Sequence, residues 1–360
     1  MTTGTSRVGT MGRHRLMSFK RRMSRMSFRF GRSGHEPASR QAFRAPEGDP
    51  VMALHKPLPT PFALGALSLA GVLALTACGG GDGGGGAEES AAPEAPSVEV
   101  DEELAALVPA DLAEAGTVTI GVEASYPPGE YLDPDGETVL GFNVDLVNAA
   151  LAKLGLEATW EPTAFDSIII GVDTGTYDLG SSSFTVTEER MEQVNMVSYF
   201  SSGTQWFAQA GNPQDVDPDN ACGMRIAVQS NTTHDTDIEE RSAACVDAGE
   251  EAITIQKFES QPLATETVVS GVNDASLADM PTAAYALEQT GEGVLEFVGE
   301  QYNAAPYGIL TNKEDAELAE AMAAAFNALI EDGTYAEVLG EWGVDAGGME
   351  TAEVNPELAE

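Results

Sequence analysis

From Thr117 onward the chain alternates short apolar runs with stretches of helical period, and the alternation starts afresh after residue 211. The run Val118 to Val122 has the length and branching of a strand. Leu146, Val147, Ala150, Leu151 and Leu154 then recur on one face of a helix that Gly155 closes, and Leu156 to Trp160 reads as the next strand. Strand, helix and strand in that order build a parallel sheet with helices on its faces. The second series repeats the theme: Met224 to Val228 as a strand, a helix from His234 to Ala244, a strand over 252–255, a helix over 262–270, and a strand near Ala275 to Met280. Two α/β lobes follow, 116–200 and 211–300. A last amphipathic stretch, with Leu318, Met322, Phe326 and Ile330 on one face and Trp342 in a short final helix, returns over 306–343 to pack on the first lobe. The return requires two crossings, expected at 199–211 and 301–310, with a hinged cleft between the lobes.

The segment before this body is different in kind. Of 18 Lys and Arg residues, 11 lie in the first 51, whereas residues 78–360 carry 55 acidic and six basic side chains, a formal charge of −49. Such a body repels nucleic acid and anionic membrane surfaces. Residues 1–51 are expected to be a mis-called or extended basic segment ahead of a signal peptide over 52–77. Lys56 precedes an apolar run from Phe62 to Leu75, of signal-core length and too short for a comfortable transmembrane helix. It ends in Leu75-Thr76-Ala77-Cys78, which resembles the lipobox of bacterial lipoproteins and makes Cys78 the expected lipidation site. The Gly, Ala, Glu and Pro-rich stretch over 78–115 reads as a tether, and 344–360 as an acidic tail.

No parts for catalysis or metal binding assemble in the sequence. Downstream of residue 78 there is one histidine, His234, and no CxxC, HExxH, GxSxG or GxxxxGK[ST] pattern, so no cofactor and no metal are expected. Cys222 and Cys245, 23 residues apart, are expected to be bonded after export, contributing about 3 kcal/mol by loop entropy. The sharpest polar cluster is Ser181 to Arg190. Thr185 and Glu188 have capping-box spacing, and a helix N-terminus beside a guanidinium suits a carboxylate. On an arbitrary helix Arg190 would pair with Glu189 or Glu192. Its retention in so acidic a body argues for a task.

Seven stretches in order, VTIGVEASYPPGEY, GFNVDLVNAALAKLGLEATW, FDSIIIGVDTGTYDL, SSSFTVTEER, IAVQSNTT, LADMPTAAY and NALIEDGTYAEVLGEWG, resemble the family 3 extracellular solute-binding proteins. The resemblance implies a two-lobed periplasmic-binding-protein type II fold with hinge crossovers. The implied function is that of an extracellular, lipid-anchored, monomeric receptor that delivers a polar amino acid to the permease of an ABC importer. An enzyme on the same scaffold, a cyclohexadienyl-dehydratase-like lyase with Glu123 as its acid or base, is the alternative. Carried over by position, Arg190 would grip the ligand's α-carboxylate, aided by Thr185 and a backbone N–H of Thr232 or Thr233. Asp279 and Ser183 would hold the α-ammonium. Tyr126 and Phe165 would sandwich the side chain, Phe165 serving equally as core packing. Glu123 suits a distal cation and Gln229 an amide, so both side-chain classes stay open. Pro127-Pro128-Gly129-Glu130 departs from the family's PFE or PFS, which removes an aromatic wall and implies a more open pocket.

Overall fold

The computed structural model describes residues 98–358, so the basic segment, the signal peptide, Cys78 and the first part of the tether lie outside the described residues. Two short helices, α1 (Glu102–Ala105) and α2 (Ala110–Ala115), lead into β1 (Thr117–Val122). A small antiparallel sheet follows, made of β2 (Ser125–Tyr126), β3 (Glu130–Leu132) and β4 (Val139–Leu140). Next come α3 (Phe142–Lys153), β5 (Glu157–Pro162), α4 (Phe165–Asp173), β6 (Leu179–Gly180) and α5 (Glu188–Gln193). The long β7 (Val194–Gln209) carries the chain into the second lobe, composed of β8 (Arg225–Gln229), α6 (Thr233–Ala248), β9 (Thr254–Phe258), α7 (Gln261–Val269), β10 (Ala275–Asp279) and α8 (Met280–Thr290). The equally long β11 (Leu295–Asn312) returns to the first lobe, which α9 (Ala316–Asp332) and α10 (Thr334–Glu341) complete.

The sheet order β5-β1-β6-β11-β7-β10-β8-β9 contains both series. β1 runs parallel to β5 and β6, and β8 runs parallel to β9 and β10. Between them β7 and β11 pair antiparallel with each other from Val194 and Asn312 to Gln209 and Leu295, with register shifts between Val298 and Gly308. The crossings are therefore one paired ribbon. Each lobe has its own core. Leu146, Val147 and Leu151 of α3 meet Leu318, Met322 and Phe326 of α9, all fully buried, while Ile330 packs at the margin. Ile226, Val228, Ile238 and Leu277 pack around Trp206 in the other lobe. Each such side chain contributes about 1.5–3 kcal/mol relative to exposure.

Three local expectations need correction. The end of the segment assigned to the tether folds: Leu104 of α1, buried Val108 in the turn that follows and Leu112 of α2 pack on the first lobe's core. The helix after Ser181 starts at Glu188, and its cap is Thr187, whose hydroxyl accepts from the Arg190 N–H at 3.2 Å. Thr185 sits before it in an extended bridge to Tyr307, so the capping-box spacing of Thr185 and Glu188 is not used. The acidic tail is likewise docked: Val354 bridges Val197, the Ser198 N–H donates to the Glu353 carbonyl and the Asn355 N–H to that of Met196. In the first lobe β7 is the last strand of the order, and this segment covers its open edge.

Candidate functional site

The polar residues of interest follow directly from the carboxyl ends of parallel strands. Glu123 follows β1, Ser181 to Ser183 follow β6, Gln229 ends β8 and Asp279 ends β10. In open α/β sheets that edge is where ligands bind, because the strands stop there and the next helices begin. The two lobes turn these edges toward each other.

A cleft of about 310 Å³, counting its mouth, lies between them. Its walls are Glu123, Tyr126, Phe165, Ser182, Ser183, Thr185 and Arg190 from the first lobe, and Gln229, Thr232, Thr233, His234 and Asp279 from the second. All ten ligand-contact residues expected from the sequence are thus brought to one cavity. The lobes touch across it. The Tyr126 hydroxyl donates to Asp279 Oδ2 and accepts from the Asp279 N–H, both at 3.0 Å; Gln229 Nε2 donates to Glu123 Oε2 at 3.3 Å; and the hydroxyls of Thr185 and Thr233 lie 3.4 Å apart.

Arg190 is buried, at 9% exposure, yet no carboxylate among the described residues lies within ion-pair distance of its guanidinium. Its Nη1 donates to the Thr185 carbonyl at 2.8 Å, and its charge rests over the rings of Phe184 and Phe165, 5.3 and 5.7 Å from their centroids. Burial pushes its pKa down to about 10, against the opposing pull of Asp279 and Glu189. Phe165 stacks on Phe184 at 4.6 Å, so the ring both walls the cleft and props the arginine. A buried cation with most of its donors free is costly on its own and is offset by an incoming anion. The amino end of α6, capped by Thr232, presents Thr233 and His234 to the same space.

The opposite charge lies across the cleft. Asp279 is buried at 6% exposure, held by Tyr126 and 3.6 Å from His234 Nε2, while His234 Nδ1 lies 3.2 Å from the Thr204 hydroxyl. Glu123 is also buried. Desolvation raises its pKa, countered by hydrogen bonds from Ser125 and Gln229. Two groups were missed. His234 had one signal in the sequence, its isolation as the single histidine after residue 78. Glu130 and Asn143, joined at 2.7 Å behind the cleft wall, lie within two of the quoted family-like stretches, but nothing there signalled their pairing. The glycine that replaces the family's aromatic belongs to that rear layer: a Cβ on Gly129 would stand 2.9 Å from Asn143 Nδ2 and Ser183 Oγ. Gly129 is not a cleft-lining residue.

The bond between Cys222 and Cys245 is formed, with Cα atoms 5.6 Å apart, and lies at the side of the second lobe away from these residues. No group of metal-ligating side chains occurs among the described residues, and no helix among them is long and apolar enough to cross a membrane.

Comparison with known proteins adds the family context. Residues 118–345 match the model of the bacterial extracellular solute-binding proteins, family 3. The arginine-binding protein ArgT of Corynebacterium glutamicum is 38% identical over 254 residues, spanning 70% of this chain and 83% of that protein. Among solved structures, an ancestral arginine-binding protein bound to arginine is 31% identical with a TM-score of 0.59, over 63% of this chain and 98% of that one. The ancestral amino acid-binding protein AncCDT-1, a precursor of cyclohexadienyl dehydratase, is 28% identical with a TM-score of 0.58, over 64% and 97%.

Proposed function

The chain belongs to the bacterial extracellular solute-binding proteins, family 3, and from that premise we propose that it captures a cationic α-amino acid between its lobes and presents it to an ABC permease. The observation that carries this reading is the pair of opposite buried charges facing one cavity: Arg190 on the first lobe, with no carboxylate partner among the described residues, and Asp279 on the second, held by Tyr126 beside His234. A zwitterion supplies a carboxylate to one and an ammonium to the other, so closure and binding become a single event. Arg190, Thr185 and the amino end of α6 at Thr232 and Thr233 take the carboxylate. Asp279 and Ser183 take the ammonium, and Tyr126 and Phe165 flank the side chain. Glu123, with Gln229 beside it, meets the distal group.

The cationic class is favoured over the amide class by charge: Glu123 and Asp279 wall a cleft in which Arg190 is the one Lys or Arg side chain, and the relatives named above include arginine-binding proteins. Binding is favoured over turnover because the Glu123 carboxyl is already engaged by Ser125 and Gln229, and because AncCDT-1 is itself described as amino acid-binding. Family 3 proteins work outside the cytoplasmic membrane. Within that setting Cys78 is the proposed acyl attachment point of a monomeric receptor, supported by the lipobox-like Leu75 to Cys78, and loss of acyl labelling in Cys78→Ala would bear this out.

Calorimetry with arginine, lysine, histidine, glutamine and glutamate is the direct test. The cationic ligands should bind tightest, and Arg190→Ala should cost about 2–5 kcal/mol, roughly 30-fold or more in Kd. Tight glutamate binding, or an Arg190→Ala protein that binds as well as its parent, would sink the reading.

A further inference from the structure

Behind the ammonium side of the cleft lies a carboxyl group that capture of a zwitterion does not call for. Glu130 is 1% exposed. Its Oε2 accepts from Asn143 Nδ2 at 2.7 Å, and its Oε1 has no hydrogen-bond partner. Asn143 is fully buried too, and its Oδ1 is equally without a partner. Among the described residues no cation compensates an ionised Glu130. The basic residues of the body are engaged elsewhere: Lys153 with Asp332, Arg225 with Asp274, Arg241 with Asp237, Lys257 with Asp235 and Glu239, Lys313 at the Met191 carbonyl and Arg190 at that of Thr185.

One proton resolves both orphans. A carboxylic acid presents an O–H on one oxygen and an acceptor on the other, and a carboxamide presents the complementary acceptor and N–H. Asn143 already gives its N–H to Oε2. We take Asn143 Oδ1, itself without a partner, as the acceptor for a proton on Oε1. The same Nδ2 lies 3.0 Å from the hydroxyl of Ser183, which walls the cleft and holds a positive φ of 48°. Ser183 thus links the pair to the ligand space.

We propose that Glu130 carries a proton as a neutral acid paired with Asn143, and that a cation seated between Ser183 and Asp279 expels it, so that ligand capture releases protons. The inference rests on the amino-acid-binding reading above. The proton leaves the carboxyl through the Ser183 hydroxyl, which hydrogen-bonds to the Glu130 carboxyl and walls the cleft, and passes to water there; the carboxylate left behind is neutralised by the ligand's charge. The titratable groups facing Glu130 are Glu123 after β1, Tyr126 on β2, Tyr199 on β7 and Asp279 at the end of β10, with His234 beyond Asp279. Glu123 and Asp279 oppose its ionisation in the empty cleft, and a bound ammonium removes part of that opposition. Burial is the larger cause, and together they raise its pKa to about 8. Glu130 is a positioning residue, since it acts on the ligand through Asn143 and Ser183.

The test is calorimetry of arginine binding to the whole protein at pH 7.5 in phosphate and in Tris, buffers whose protonation heats differ. The observed heat should differ between them by a fraction of a proton per ligand, and affinity should rise about three- to tenfold from pH 6.5 to pH 8.5. In Glu130→Gln, which keeps the shape and the amide hydrogen bonds, the buffer dependence should vanish. Infrared difference spectra of the parent protein give a readout that needs no variant: the carbonyl stretch of a protonated carboxyl should fall on ligand addition. A buffer-independent heat, an unchanged carboxyl band, or proton release that persists in Glu130→Gln would overturn the inference while leaving ligand binding intact. Absence of any binding heat would instead remove the functional reading beneath it.

Discussion

Arg190 and Glu130 are both buried ions in principle, and their surroundings resolve them in opposite ways. Arginine stays charged under burial, so Arg190 waits for an anion. Glutamate can take a proton, and Glu130 does. The consequence reaches folding. The folded-state pKa of Glu130, about 8, lies above the ordinary value of 4.5, so between those values the folded protein holds a proton that the unfolded chain has lost. Stability conferred by that proton is complete below about pH 4.5, falls as pH rises and levels off above about 8. Urea melts at pH 5.5, 7 and 8.5 should show a decline of at most about 1.4 kcal/mol per pH unit from this group, and Glu130→Gln should remove that part of the slope. An identical pH slope in the variant would refute the assignment. At this scale the contact residues were legible because they sit in ordered motifs with opposite charges. Glu130 and Asn143 were not, because a sequence shows which groups are polar and not which end up sharing one buried pocket.

Among elements, the alternation of strand and helix was readable because each strand is a short apolar run and each helix keeps one apolar face. Its failures were at edges. Composition marked 78–115 and 344–360 as tether and tail, yet a few apolar residues, Leu104, Val108 and Leu112 near the end of the first and Val354 in the second, dock those parts on the body. The cap moved from Thr185 to Thr187 because the bridge between Thr185 and Tyr307 holds the backbone extended two residues too long for the earlier start. The Cys222–Cys245 bond ties the approach to β8 to the end of α6. Closing that loop of 23 residues limits the unfolded chain, so the double variant Cys222→Ser with Cys245→Ser should lose roughly 3 kcal/mol of stability in the second lobe. Because neither residue walls the cleft, arginine affinity at 20 °C should stay within about twofold. Calorimetric unfolding and binding read the two quantities separately. A large loss of affinity without loss of stability would show that the bond acts on the site.

For the whole molecule, the open question is what holds the lobes together once the ribbon of β7 and β11 permits them to part. Among the described residues, four of the contacts across the cleft are specific side-chain pairs. Three are the hydrogen-bonded pairs Tyr126 with Asp279, Gln229 with Glu123 and Thr185 with Thr233, all at the ligand. The fourth is outside it: Tyr131 of the small sheet lies 6.4 Å, ring to ring, from Tyr285 of α8, and the far side of Tyr131 meets Trp342 edge-on at the same distance. This contact was invisible in the sequence, since it joins distant residues of different lobes. An aromatic pair of this kind contributes about 0.5–1.5 kcal/mol beyond its buried area. Parting of the lobes breaks a contact that spans the cleft, whereas a ligand enters between parted lobes, so loss of the contact falls on escape rather than entry. Tyr285→Ala should therefore raise the dissociation rate of arginine about two- to tenfold with little change in the association rate, as stopped-flow tryptophan fluorescence with a competing ligand would record. If the association rate fell instead, the tyrosine would be acting on the open cleft, and the closed-state contact would have no part in retaining the ligand.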